Sequence, residues 1–155
     1  MLTISRANPN DAEAILALQK LAYQSEARLY NDWSLPPLTQ TIESLIAEFA
    51  GSVCLKAISD EHIIGSVRAR AVRGVCAIGR LVVHPDYQNR GIGSQLLKQI
   101  EASFSEASKY EIFTGSKSEA TLRLYQRHGY AITHSQALSA TVSITFLEKA
   151  GGAAL

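Results

Sequence analysis

The chain has 155 residues, 46% of them hydrophobic and 19% charged, with a formal net charge of +1. That length suits one domain with a sizeable core, and the near-neutral balance excludes a broad basic surface for nucleic acid or anionic membranes. Cys54 and Cys76 stand far apart without Cys-x-x-Cys spacing, so small buried hydrophobes are expected rather than a disulfide or metal site. The start, Met1-Leu2-Thr3-Ile4-Ser5-Arg6, lacks a signal peptide's apolar stretch, and no apolar run approaches membrane-spanning length. A cytoplasmic protein is expected, acting as a monomer or homodimer.

Residues 2–7 read as a first strand. Asn8-Pro9-Asn10-Asp11 then opens a helix: a capping Asn, a Pro at the first helical position and an acid in the first turn. Ile15, Leu18 and Ala22 give that helix its apolar face. Residues 23–37 lose periodicity and concentrate Tyr23, Tyr30 and Trp33 before Pro36-Pro37. A second helix is expected from about Thr39, with Leu38, Ile42, Leu45, Ile46 and Phe49 at helical spacing and Gly51 as its stop. Val53, Leu55 and Ala57 alternate as a half-buried strand does. After a turn at Asp60-Glu61-His62, Ile63, Gly65, Val67, Ala69 and Ala71 line one face of a long strand, with Arg68 and Arg70 on the other. Gly74 turns the chain into a strand over 75–83, completing a three-strand antiparallel meander.

Ile92, Leu96, Leu97, Ile100 and Phe104 form the buried stripe of a helix running to about Ala107. Residues 110–114 make a short strand. Ser116 and Glu119 have capping-box spacing and start a helix that Gly129 stops near His128. Residues 130–134 and 141–147 read as two closing strands. The sum is a mixed α/β chain of the α+β type, one domain over 1–149, with 150–155 expected as a flexible tail.

Between the meander and the long helix runs Leu81-Val82-Val83-His84-Pro85-Asp86-Tyr87-Gln88-Asn89-Arg90-Gly91-Ile92-Gly93-Ser94. A strand, a loop with two glycines and a helix start leave unpaired N–H groups facing outward, with the positive end of the helix dipole behind them. That arrangement suits a phosphate or pyrophosphate. A P-loop is excluded because no Gly-Lys-Ser/Thr follows. A dinucleotide fingerprint lacks its third glycine, since Gln95 and Leu96 fill the place where it would fall. The remaining alternative is a turn that needs glycine on backbone grounds alone.

Gln88-Asn89-Arg90-Gly91-Ile92-Gly93 resembles the Gln/Arg-x-x-Gly-x-Gly/Ala signature of the GCN5-related N-acetyltransferase family. Leu124-Tyr125-Gln126-Arg127-His128-Gly129-Tyr130 resembles that family's Leu-Tyr-x-x-x-Gly-Phe/Tyr ending. The resemblance covers nearly the whole chain. It implies a seven-stranded, mostly antiparallel sheet with helices on both faces, whose fourth and fifth strands diverge. It implies acetyl-coenzyme A as cosubstrate, its pyrophosphate on the N–H groups of Gln88, Asn89, Arg90, Gly91, Ile92, Gly93 and Ser94. The pantetheine arm would pair with Leu81, Val82 and Val83.

Tyr125 matches the tyrosine that faces the thioester sulfur, where it would protonate the departing thiolate; a tyrosine near pKa 10 is protonated at neutral pH. Its other reading is a core aromatic on an amphipathic helix. Ser118 sits where many relatives carry an asparagine that bonds the pantetheine arm. The implied reaction is attack of a primary amine on the acetyl carbonyl in a ternary complex, with a main-chain N–H near Val83 stabilising the oxyanion. Many relatives place a glutamate just before the strand-four triplet, but here Gly79 and Arg80 stand there. Glu26, Asp32, Glu43, Glu111, His84 and His134 are the remaining candidates for the base. By the family's layout the acceptor lies over residues 23–37, where Tyr30, Asp32 and Trp33 offer aromatic walls and a carboxylate. A small amine is the favoured acceptor; a protein or peptide acceptor, or a module that binds acyl-coenzyme A without turnover, are the alternatives.

Overall fold

Seven strands pair into a single sheet in the computed structural model, whose described residues are 1–152. The chain runs β1 (Thr3–Arg6), α1 (Ala12–Ala22), α2 (Gln24–Tyr30), α3 (Pro36–Thr39), α4 (Ile42–Glu48), β2 (Val53–Ser59), β3 (His62–Val72), β4 (Val75–Val83), α5 (Ile92–Ala102), β5 (Lys109–Gly115), α6 (Glu119–Arg127), β6 (Ala131–Ala137) and β7 (Ser143–Ala150). In space the strands lie in the order β1-β2-β3-β4-β5-β7-β6. Every pairing is antiparallel except β4 with β5.

The sheet is covered on both faces. On one face α5 presents Ile92, Leu96, Leu97 and Ile100, and these close over Val67, Ile78, Tyr110, Ile112 and Leu147. The contact is intimate because β3 offers Gly65: a Cβ there would meet the Leu96 side chain at 3.0 Å. On the other face α1 and α4 bury Ile15, Leu16 and Leu45 against Ala7 and Cys54. Burying one such aliphatic side chain is worth about 1.5–3 kcal/mol, so the two layers carry most of the drive to fold.

Double coverage explains where Arg68 goes. It lies on the face of β3 opposite Val67 and Ala69, as expected, and is only 4% exposed, because α1 and α4 roof that face. Its guanidinium bonds Gln19 Oε1 at 3.0 Å, Glu48 Oε1 at 3.2 Å and Gln40 Oε1 at 3.3 Å. Gln19 in turn donates to the Pro37 carbonyl at 2.9 Å, and Gln40 donates to Glu48. These bonds tie α1, the α3 segment and α4 to the centre of the sheet, and every charged or amide group in the hub has a partner.

Several boundaries differ from the sequence reading. Residues 23–37, expected to be irregular, contain α2 and the start of α3; both are too short for periodicity to register, and α3 starts on two prolines that pre-set helical φ. Helix α4 begins at Ile42, because the Thr41 side chain caps it by accepting the Ser44 N–H at 3.1 Å. Helix α5 ends at Ala102, leaving Phe104 beyond it. The capping box assigned to Ser116 does not form: Ser118 is the cap residue, and the Ser116 hydroxyl lies 2.8 Å from Thr145 Oγ1. The cap expected at Asn8 does form and is in fact a full capping box, with Asp11 reaching back to the Asn8 N–H at 3.0 Å, although the first turn is 3-10. Strand β7, expected to stop at Leu147, continues to Ala150, and the buried Gly151 donates its N–H to the Ser108 carbonyl at 2.9 Å. Residues 153–155 of the expected tail lie outside the described residues.

Candidate active site

Strands β4 and β5 are hydrogen-bonded neighbours only from Val75↔Lys109 to Ile78↔Ile112. Beyond that point they part. Between the separated ends lies a cavity of about 330 Å³, with residues 79–83 of β4 on one side and Phe113, Thr114 and Gly115 of β5 on the other. Residues of α1, α2 and α3 form one wall and Val142 and Ile144 of the β7 arm another. A second cavity of about 270 Å³ adjoins it, sharing Leu81, Val83, Gln88 and Thr121. Its rim is the glycine loop.

That loop turns sharply. Asn89 and Gly91 both adopt left-handed backbone, φ 63° and 79°. Asn tolerates this conformation and glycine has no Cβ to oppose it. Nothing lies within 4 Å of where a Gly91 Cβ would be, so the space above it is open. The first main-chain bond of α5 runs from Gln95 N–H to the Gly91 carbonyl at 3.1 Å. The N–H groups of Ile92, Gly93 and Ser94 are therefore not used inside the helix, and they sit at its positive end. Gln88, Asn89, Gly91, Ile92, Gly93 and Ser94 all line this second cavity, as do Leu81 and Val83. Val82 lines the first. Arg90 lines neither and lies over the Tyr87 ring at 5.2 Å.

Tyr125 points from α6 into the first cavity and is 4% exposed. Its hydroxyl has no hydrogen-bond partner among the described residues, yet it is not sealed from solvent. Burial is the main cause that raises its pKa above the ordinary tyrosine value, with the Tyr23 and Glu26 charges adding to it. Tyr23, at the end of α1, is raised in the same way by burial, opposed by the positive charge of Arg80. Both hydroxyls therefore stay protonated across the physiological range.

Glu26 is the one candidate base that lines the cavity. Ser118 donates to its Oε2 at 2.5 Å, whereas Oε1 accepts no bond from the described residues. Tyr30 braces this corner: its hydroxyl lies 3.2 Å from Ser118 Oγ and accepts the Lys117 N–H at 2.7 Å. The same hydroxyl occupies the space that a side chain at Gly115 would need, so β5 must end on glycine. Ser118 itself is buried and does not line either cavity.

The other candidates are engaged elsewhere. Asp32 accepts from Ser34 N–H at 2.9 Å, Ser34 Oγ at 2.6 Å and Thr141 Oγ1 at 2.7 Å. The Ser34 hydroxyl, then Thr141 and the Ser34 N–H, hold its carboxyl below the usual carboxylate range. Asp32 and Trp33 stand outside the cavity, and Trp33 is 55% exposed. His84 Nδ1 accepts the Asp86 N–H at 3.0 Å, fixing the turn after β4. Glu111 pairs with Lys109 at 3.4 Å, and His134 stacks on Phe146 with ring centroids 4.5 Å apart. Glu43 lies in the first turn of α4, away from both cavities.

Two lining groups had no signal in the sequence reading. Leu138, Val142 and Ile144 reach the cavity from the last hairpin, whose position depends on β7 inserting between β5 and β6. Arg80 lines it from β4, at a bulge where Val67 has no register partner and Arg80 and Leu81 fall between Gly79 and Val82.

A profile described as the Acetyltransferase (GNAT) family matches residues 13–130. The UPF0157 protein YqkA of Bacillus subtilis strain 168 is 30% identical over 122 residues, which are 77% of this chain and 34% of that protein. The chain thus spans about a third of that relative's length. Among solved structures, the ribosomal-protein-S18-alanine N-acetyltransferase from Escherichia coli superposes with a TM-score of 0.80 at 14% identity, covering 97% of this chain and 94% of that one. The PaiA N-acetyltransferase from Thermoplasma acidophilum, in complex with coenzyme A, gives 0.78 at 16% identity, with 97% and 99% covered. YncA, a putative acetyltransferase from Salmonella typhimurium with acetyl-CoA, gives 0.76 at 17% identity, with 97% and 94% covered.

Proposed function

Because the chain belongs to the Acetyltransferase (GNAT) family, we propose that it is an acetyl-coenzyme A-dependent N-acetyltransferase acting on a primary amine of a small acceptor. The observation that carries this reading is the adjacency of the two cavities. The one at the unused N–H groups of α5 shares Leu81, Val83, Gln88 and Thr121 with the one that holds the Tyr125 hydroxyl, which has no partner among the described residues. The residues present fit acetyl-coenzyme A: an open, glycine-formed anion cradle at one end, and a gap between β4 and β5 with free strand edges at the other. The cosubstrate supplies an activated acetyl thioester when bound.

The chain's own groups divide the remaining work. The N–H groups at residues 88–94 hold the pyrophosphate. Leu81, Val82 and Val83 offer main-chain groups to the pantetheine arm, and an N–H of β4 near Val83 or the adjacent bulge donates to the acetyl oxygen. Glu26, with Oε1 uncommitted, takes the proton that the attacking amine must lose, directly or through water. Tyr125 holds its proton until the sulfur departs and then donates it. Ser118 and Tyr30 keep Glu26 and the mouth of α6 in place. The cavity of about 330 Å³ suits a small acceptor better than a folded peptide segment.

Calorimetry with acetyl-coenzyme A tests the cradle. A Gly93 Cβ would meet only ordinary contacts, Leu124 at 3.4 Å and Val83 at 3.9 Å, so Gly93→Val is expected to fold. It should bind acetyl-coenzyme A about tenfold or more weakly, since the branched side chain would narrow the second cavity beside Leu124 and Val83. Unchanged affinity in the folded variant places the cofactor elsewhere and removes the proposal's main support.

A further inference from the structure

Arg80 is the most anomalous polar side chain in the cleft. Its Nε is buried and has no hydrogen-bond partner among the described residues, while the rest of its guanidinium faces the Tyr23 hydroxyl, whose pKa, raised by burial, its charge pulls back down. No carboxylate lies within ion-pairing distance of its guanidinium among the described residues. Its backbone is left-handed, φ 53°, at the β4 bulge, a conformation costly for a long side chain. A buried guanidinium nitrogen without a partner also costs stability. The Nε is sealed from the cavity, so a ligand would meet the Nη groups; a cavity-lining arginine with a strained backbone and no carboxylate partner marks a position kept for a ligand rather than for the fold.

The ligand's chemistry follows from the surroundings. Arg80 lines only the first cavity, so it is separated from the phosphate cradle of the second. Glu26 stands in the same cavity as its counter-charge, and Leu35, Pro37, Val142 and Ile144 supply apolar walls. A guanidinium fork matches a carboxylate in a two-bond geometry, and an uncommitted carboxylate matches an amine. Resting on the acetyltransferase reading above, we infer that the acceptor is an amino acid: Arg80 anchors its carboxylate, Glu26 faces its amine, and the apolar walls take a hydrophobic side chain. Arg80 is thus the specificity-determining residue of the cleft. The geometry gives an arginine a function at the place where a base might be sought.

The test uses wild-type protein and Arg80→Gln, each first titrated with coenzyme A and then saturated with it. The probes are N-acetyl-L-phenylalanine, its carboxamide, and N-acetyl-2-phenylethylamine, with the leucine series as a second set. In the wild type, one of the two acids should bind at least about tenfold tighter than its amide and its decarboxylated analogue. Arg80→Gln should abolish that preference while keeping its coenzyme A affinity and an unchanged or higher melting temperature. A merely structural arginine would lower the melting temperature and leave the acid-over-amide ratio alone. Equal binding of acid and amide, no binding of either acid, or an undiminished ratio in Arg80→Gln overturns the assignment. Failure of the wild type to bind coenzyme A in the first titration overturns instead the acetyltransferase reading on which it rests.

Discussion

Two arginines on neighbouring strands divide the molecule into a part that holds and a part that acts. Arg68 on β3 is sealed beneath α1 and α4, and three side chains accept from it. Arg80 on β4 is close enough that its charge lowers the pKa of Arg68, although burial is the larger cause and the Glu48 charge opposes both. Yet among the described residues Arg80 has no carboxylate partner, and its backbone is strained. The contrast extends to their surroundings. Around Arg68 the amides and carboxylates satisfy one another. In the cleft, Arg80 Nε, Tyr125 Oη and Glu26 Oε1 all lack bonds among the described residues. Groups that complete each other stabilise a fold; groups left incomplete are available to a substrate.

Removing the hub should have the largest effect. Arg68→Met leaves Gln19, Gln40 and Glu48 facing an apolar chain, and a loss of ~3 kcal/mol is expected, or roughly 6–12 °C in melting temperature. A stability loss below about 1 kcal/mol by urea unfolding would break the contrast, because the hub would then not be holding the helices. Next is Glu26→Gln, which should lower kcat/KM for the amine on the order of a hundredfold and leave acetyl-coenzyme A affinity intact. Tyr125→Phe should cut kcat by about tenfold with little change in the Michaelis constant for acetyl-coenzyme A. Because burial raises that hydroxyl's pKa above the ordinary 10.0, its proton stays on as pH rises. No fall in rate attributable to it is expected up to about pH 10. Smallest is Arg80→Asn, which removes the unmet donor and tolerates left-handed backbone. It should raise stability by about 1 kcal/mol, the opposite sign to Arg68→Met, as differential scanning calorimetry would read directly.

Much of this architecture was legible because it depends on short-range pattern. The alternation in β2 and β3, the stripe of α5 and the glycine loop are all patterns of nearby residues, and they appear where expected. What was hidden depends on partners distant in the chain. A charge in a strand reads as solvent-facing; only the packing of α1 and α4, with partners 20 to 49 residues away, makes Arg68 internal. Asp32 has the composition of an amine binder, but Thr141, 109 residues on, takes its free oxygen. Ser116 and Glu119 have capping spacing, but Thr145 competes for the serine. Arg80 was noticed only as something other than a glutamate, since neither its backbone strain nor its unmet nitrogen has a sequence signature.

The four-residue seam between β4 and β5 has a consequence for how the chain assembles. Within the single sheet, β1 to β4 form one antiparallel block, and β5, β7 and β6 form another. Within them β2–β3, β3–β4 and β6–β7 are hairpins that close at little entropic cost, whereas β1–β2 and β5–β7 join strands with other elements between them. The seam welds the two blocks, and Val75 to Ile78 gain their second neighbouring strand only from residues beyond α5. The binding cleft is the unwelded remainder of that join. Its mouth is therefore as wide as four rungs allow, and a fifth rung, gained or lost, would resize it without altering any residue that lines it.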